Sequence, residues 1–301
     1  MRLSTLLKEL NIPCKALNEQ EFTSLGLVGY NAGKKVCTFL TDEKYADGLS
    51  EYITMIITIP EIVKTISHKI SDSCGVCIVD DPRNSFFKLH NYLAEKTGYF
   101  RKKFETEIGE NSKISSLACI SPNNVRIGKN VVIEEFVSIK ENSEIGDNCI
   151  IRAGSVIGGE GFEFKKDPEG LFGVKHIGGV KIGNFTEVQQ NSCVDKAIYP
   201  WDDTIVGDYV KIDNLCHIAH GAKIGDNTII IAGSGIGGRT QIGREAWIGL
   251  GAVLRNGILV GENGRVNMGA VVTKSVPDGE SVTGNFAIEH KKFIENMKTI
   301  R

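Results

Sequence analysis

Two histidines lie three residues apart in the stretch Ile212-Asp213-Asn214-Leu215-Cys216-His217-Ile218-Ala219-His220-Gly221. An unperturbed imidazole titrates near pH ~6.5, so it can take and return protons around neutrality. His220 falls two places after Ile218, an aliphatic residue of a core repeat. That spacing turns its side chain out of the core and toward a groove, where it can act as a general base. Asp213 and Asn214, about one strand earlier, are the groups expected to set its ring tautomer. His217 and Asp195 complete the supporting set. A solvated surface histidine is the competing reading on position alone.

Two further constellations bear on chemistry. Histidine triads hold zinc in some β-solenoid enzymes, and His176, His217 and His220 are the candidates in this chain. Their spacing stacks no two ligands on one face, so no metal site is expected. Phe39-Leu40-Thr41-Asp42-Glu43-Lys44-Tyr45 follows a predicted strand. Phe39 and Tyr45 could sandwich a flat base while Asp42 accepts its hydrogen bonds. Core packing is the alternative for Phe39.

The element that must carry the histidines is written in the aliphatic residues. From Val206 to Val272 every sixth residue is Ile, Leu or Val. These types make up roughly a quarter of the chain, so twelve hits in twelve places would arise by chance about once in 10^7. A period of six fits neither a helix nor an ordinary strand. It describes a stacked β-solenoid in which each repeat makes one side of a coil. The same period runs through Ile108, Ile114 and Ile120, slips by one residue at Ser121-Pro122-Asn123-Asn124, and resumes from Ile127 to Ile157. Ile182, Val188 and Val194 make a third block. The residue four after each aliphatic is usually small, as at Cys216, Ala222, Thr228 and Ser234, which suits an inner corner. Glycine often follows the aliphatic, as at Gly225, Gly237, Gly243, Gly249 and Gly261, and is expected to serve a turn of unusual φ/ψ.

Two interruptions, 158–177 and 196–204, carry aromatic residues and are expected to project as loops that build a binding face. Residues 1–104 lack the period and read as a small α/β domain. It holds a helix near Arg2–Leu10, strands at Val36–Leu40, Met55–Ile59 and Gly75–Val79, and a helix from Pro82 to Glu95. The solenoid is expected over 105–284, and a C-terminal helix over 285–301, from Phe286 on, should cap its end. The expected fold class is therefore mainly β.

Composition narrows the partners. A net charge of −2 offers no basic stripe for nucleic acid or an anionic membrane. No apolar run is long enough to span a bilayer, and a signal peptide is not expected at Met1. Eight scattered cysteines fit a reducing cytoplasm. Cys74-Gly75-Val76-Cys77 is a lone CxxC inside a strand and reads as structural.

The stretch IDNLCHIAHGAKIGDNT, from Ile212 to Thr228, resembles the signature of the UDP-3-O-(3-hydroxyacyl)glucosamine N-acyltransferases of lipid A biosynthesis. The likeness extends to Phe39–Tyr45, Val79-Asp80-Asp81-Pro82, Gly161-Phe162, Ile177–Gly183 and Glu187–Asp195, in family order. It implies a left-handed parallel β-helix forming a homotrimer with active sites between subunits. It also implies transfer of an acyl group, as a 3-hydroxyacyl chain, from the phosphopantetheine of acyl carrier protein to the amine of a UDP-linked amino sugar. No tightly bound cofactor is implied; the thioester is a substrate, with coenzyme A the other possible carrier. The resemblance makes His220 the base, puts Phe39 and Tyr45 at the uracil, and sets Asp42 where the family has Asn.

The departures fall on the donor side. Gly257, after Asn256, stands where the family has a second His. Asp195-Lys196-Ala197 replaces Asp-Arg-Gly, and Phe286 replaces a Pro after Gly284. Family members also commonly continue beyond the position of Arg301. These changes open two alternatives: an acyl- or acetyltransferase for a different nucleotide-linked amino sugar, and a UDP-sugar-binding homologue with impaired turnover.

Overall fold

The computed structural model describes residues 1–29, 35–71, 73–96, 98–284 and 287–300. It divides into two compact units. One comprises Met1–Lys102, Phe162–Ile177 and Ile198–Trp201; the other comprises Lys103–Gly161, Gly178–Ala197 and Asp202–Arg301.

The first unit is built on a five-stranded sheet of β1 (Lys15–Leu17), β2 (Ser24–Leu25), β3 (Val36–Phe39), β4 (Ile53–Thr58) and β5 (Gly75–Ile78). Its order is β1-β5-β4-β3-β2, with β1 antiparallel at one edge and the other neighbours parallel. Helices α1 (Leu3–Glu9), α2 (Pro60–Ile66) and α3 (Pro82–Leu93) complete the α/β arrangement. Asp81 caps α3 by accepting from the Asn84 amide at 3.0 Å, and Pro82 occupies its first turn. One face of α3 buries Phe86, Phe87, Leu89, His90 and Leu93. The middle of each predicted interruption, Phe162–Ile177 and Ile198–Trp201, belongs to this unit. Val174, Ile198 and Tyr199 are buried in this core, and the Tyr199 ring stacks on Trp201 at 5.1 Å. The Trp201 indole donates to the Leu25 carbonyl at 2.7 Å. Tyr199 is core material with Trp201 and Phe172 packed against that core, whereas Phe162 and Phe164 of the first interruption are exposed and lie against each other at 4.9 Å. Cys74 and Cys77 are buried too, and burial pushes their thiols up to about 11 and about 12, so the thiolates that metal or redox work needs are disfavoured.

The second unit is a left-handed parallel β-helix. Its short strands stack into three parallel sheets of nine, eight and eight strands. A regular coil takes eighteen residues, so His217 lies over Gly235 and Gly235 over Val253. Every aliphatic position from Val206 to Val272 points inward and is 6 % exposed or less. Each except the terminal Val272 is covered by counterparts one coil before and after, which removes apolar area from water at ~25 cal/mol per Å². Ile108 is exposed because it belongs to the first strand and has no coil before it.

The small residues line the inner corners. Thr228 and Thr240 hydroxyls donate to the Gly243 and Arg255 carbonyls, both at 3.0 Å, which ties neighbouring coils together. The glycines after the aliphatics have a different cause from the one expected. Left-handed φ falls two residues after them, at Asn227, Arg239, Glu245 and Gly251. A Cβ on Gly237 or Gly243 would instead lie 2.5 Å from the backbone nitrogen of Asn256 or Glu262 in the next coil. Close coil-to-coil approach excludes the side chain. The phase slip at Asn124 is a corner too, with φ of 58° and the Asn124 carboxamide accepting from the Phe104 amide at 2.8 Å.

Helix α4 (His290–Ile300) forms as expected, but it does not cap the coil: residues 287–299 are all exposed. Phe293, Ile294 and Met297 present their apolar surface to solvent. Residues 285 and 286, where the helix was expected to begin, and 301 lie outside the described residues. No helix among the described residues is long and apolar enough to cross a membrane.

Candidate active site

The histidines occupy one strand and its corner. His217–Ile218 is a two-residue strand whose second member faces the core, so His217 faces out. The chain then turns at Gly221, where φ is 69°. The Gly221 amide donates to the Thr204 hydroxyl at 2.8 Å, and that hydroxyl donates to the Asp195 carbonyl at 2.6 Å. The corner is thereby locked to the preceding coil.

His220 is only 8 % exposed, more enclosed than its place in the repeat implies. The cause is Gly238, one coil further on. A Cβ there would sit 2.7 Å from Cε1 and 2.8 Å from Nε2 of His220. Without one, the imidazole lies across the glycine backbone and its Nδ1 is shielded from solvent. Any substituent at 238 would displace the ring.

Asp213 and Asn214 have other work. The Asp213 carboxylate accepts from the Asn214 amide at 2.7 Å and from the Ala232 amide at 3.1 Å. Asn214 accepts from the Gln190 amide at 3.1 Å. Both residues staple adjacent coils at a different corner, because a side-chain oxygen there meets the amides that the turn leaves unpaired. The carboxylate that reaches a histidine is Asp195, whose Oδ2 lies 2.8 Å from His217 Nε2. Its own side chain is 10 % exposed against 53 % for the imidazole. This bond to Asp195 holds the His217 pKa above its ordinary value, against the opposing effect of partial burial.

The pairing was hidden in the sequence by the interruption at 196–204. That insertion stretches one coil, so His217 registers with Cys193 rather than with a residue eighteen back. Counting twenty-four residues for that coil would have put His217 near Asp195.

His176 lies in the other unit, buried, with Nδ1 2.9 Å from the Val174 carbonyl oxygen. Among the described residues no three His, Cys, Asp or Glu side chains are placed to hold a metal ion. Gly257 has φ of 72° and nothing within 4 Å of where a Cβ would stand.

Within the first unit, Phe39 is half-buried and packs on Phe86 at 4.9 Å and Phe87 at 5.9 Å. Tyr45 is exposed, with the Lys44 ammonium 5.0 Å from its ring centroid. Asp42 caps the short 3-10 helix Glu43–Gly48, accepting from the Lys44 amide at 3.0 Å, and pairs with the Lys44 ammonium at 2.7 Å. Those contacts hold its carboxyl below the usual carboxylate range.

The bacterial transferase hexapeptide family (six repeats) matches residues 124–159 and 203–238, the second of which spans both histidines. Among similar proteins, the UDP-3-O-acylglucosamine N-acyltransferase of Bordetella pertussis is 33 % identical over 170 residues, covering 55 % of this chain and 46 % of that protein. Its counterpart from Caulobacter sp. strain K31 is 36 % identical over 140 residues, 46 % of this chain and 41 % of that one. The chain thus spans under half the length of these curated relatives. Among solved structures, the UDP-N-acetylglucosamine acyltransferase from Campylobacter jejuni superposes with a TM-score of 0.54 at 22 % identity, over 60 % of this chain and 68 % of that one. That likeness concerns the fold. The chain carries bacterial transferase hexapeptide repeats on a left-handed β-helix and is similar in sequence to the UDP-3-O-acylglucosamine N-acyltransferases.

Proposed function

We propose that this protein is an N-acyltransferase that moves an acyl group from an acyl carrier protein thioester to the amine of a UDP-linked glucosamine derivative, as in lipid A biosynthesis. The observation that carries the reading is the seat of His220, a histidine held at a solenoid corner against a residue with no side chain. It stands in a chain whose relatives bear that activity in their names.

The chemistry follows from what the reaction demands. The amine must lose a proton before or as it attacks the thioester carbonyl, and His220 is the acceptor. The oxyanion that forms needs N–H donors; the Gly235 and Gly237 amides already donate to the Ala252 and Leu254 carbonyls at 2.9 and 3.0 Å, so Gly238 is the candidate at this corner. Phe39 and Tyr45 stack on the uracil, with Asp42 beside them. Because the corner of a single coil is open on one side, the site is completed by a neighbouring subunit in a homotrimer.

A second reading has one observation in its favour: the open space at Gly257, where a donor-side histidine would stand. It makes the protein an acyl- or acetyltransferase for a different nucleotide-linked amino sugar. One assay separates the two. UDP-3-O-acylglucosamine with 3-hydroxyacyl carrier protein is compared with UDP-amino sugars and acetyl coenzyme A, and products are read by mass spectrometry. Transfer in the first mixture supports the lipid A step, and transfer in the second alone overturns it. Failure in both leaves a binding protein without turnover.

A further inference from the structure

The pair His217–Asp195 has the geometry of an acid–base dyad, and the reaction proposed above leaves one proton transfer without a residue. When the amine attacks, His220 removes a proton from nitrogen. When the carbon–sulfur bond breaks, the sulfur departs as a thiolate whose conjugate thiol has a pKa of ~8.5, so around neutrality it takes up a proton, and a donor beside it would stabilise the charge that develops.

Four observations put His217 in that role. Its ring is half-exposed on the outer surface of the same strand that leads into His220, three residues on. The carboxylate that holds it is nearly buried. Asp195 lies on the strand Cys193–Asp195, which is bulged against Val156–Gly159, and its Oδ1 faces the backbone of Gly159, where a Cβ would stand 3.6 Å away. A carboxylate only accepts, so Nε2 carries the proton between them and Nδ1 is left to face a substrate. Finally, the coil that follows presents Gly235 in register with His217, so no side chain covers the ring from that side.

The ionisable groups around the ring are few. Asp195 and Cys193 face it from the preceding coil, Lys196 beside them is paired with Glu160 at 2.8 Å, and the following coils present Gly235 and Val253, which carry no charge. The fixed carboxylate raises the His217 pKa above its ordinary value, the direction that favours a proton donor.

We propose that His217, oriented by Asp195, is the general acid of the transfer. The amine nitrogen bonds to the acyl carbon, the carbon–sulfur bond breaks, the departing sulfur takes the proton from His217 Nδ1, and His220 holds the proton lost by nitrogen. Solvent then reprotonates His217 and relieves His220, so amine and thioester become amide and thiol with no net change of oxidation. This assignment rests on the N-acyltransferase reading.

The test is the pH dependence of kcat for the full chain, with 3-hydroxyacyl carrier protein and UDP-3-O-acylglucosamine or whichever pair the assay above identifies. Wild type should give a bell, rising as the general base loses its proton and falling as His217 loses its own. His217→Gln should lower kcat about 10^2-fold and abolish the falling limb, with the rising limb and the KM for UDP-sugar retained. Asp195→Asn keeps the imidazole but removes what raises its pKa, so its falling limb should move to lower pH. A purely structural role would lower kcat without changing the shape of the curve. A His217→Gln enzyme with the wild-type falling limb, or with undiminished kcat, overturns the proposal. Should that variant melt early, the Asp195→Asn profile decides, and an unmoved limb overturns it. A wild-type protein that transfers nothing overturns the N-acyltransferase reading itself.

Discussion

The two units bury their apolar residues by different rules. In the solenoid, burial is a matter of register: the aliphatic residue two places before His220 is inside because every sixth residue is inside. In the first unit, burial follows contacts between distant segments. Tyr199 is fully buried, yet it arrives from an insertion and meets Phe86 at 6.4 Å and His90 at 5.3 Å. A periodic core repeats one solution, whereas an aperiodic core must be solved once for each side chain. The consequence is that the solenoid tolerates interruption between coils, while the first unit depends on individual large residues.

That contrast can be broken by mutation. Tyr199→Ala should cost the first unit about 3–5 kcal/mol, because it empties an aromatic cluster with nothing to collapse into it. Ile230→Ala should cost the solenoid about 2–5 kcal/mol. Denaturation followed by hydrogen exchange resolved along the chain would separate the two. Equal loss of protection in both units in either variant would mean that they unfold as one, and the contrast would fall.

Acid should act on the first unit. His90 Nε2 lies 2.8 Å from the Lys175 carbonyl oxygen, and burial pulls its pKa down from 6.5 to about 4. Between those values the unfolded chain binds a proton that the folded chain refuses. Stability is therefore full above about pH 6.5 and declines as pH falls toward about 4, by about 3 kcal/mol in all. His90→Gln should flatten that decline. The solenoid's His217 runs the other way: its pKa is raised, so its contribution is present at low pH and is lost as pH rises through its folded value.

For function, His220→Ala should reduce the transfer rate by roughly 10^2-fold or more with nucleotide affinity unchanged. Tyr45→Ala should do the reverse, weakening UDP-sugar binding by about 1–3 kcal/mol on the scale of aromatic–base stacking. An unchanged affinity in Tyr45→Ala would remove the clamp from the nucleotide site. Phe39→Ala carries a structural cost as well, since its ring already packs on Phe86 and Phe87. Titration calorimetry paired with a thermal melt would separate the two effects.

Helix α3 and strands β3, β4 and β5 were visible in the sequence because each carries its own pattern over a dozen residues or fewer. Strands β1 and β2 were not, because three- and two-residue strands are stabilised by their neighbours rather than by their own composition. The glycines of the repeat were recognised as constrained, yet the constraint is a backbone 2.5 Å away in the next coil, which no local turn rule reports.

By itself the sequence determined the six-residue register, the inward set of aliphatic residues and the placement of His220 beside a corner. It could do so because a solenoid puts like positions in contact, and a repeated contact leaves a repeated letter. Only the tertiary structure decided that the middle of each insertion belongs to the first unit, that Gly238 makes the seat of His220, and that Asp195 pairs with His217 across a lengthened coil. Each of those is a single contact between positions that no period relates.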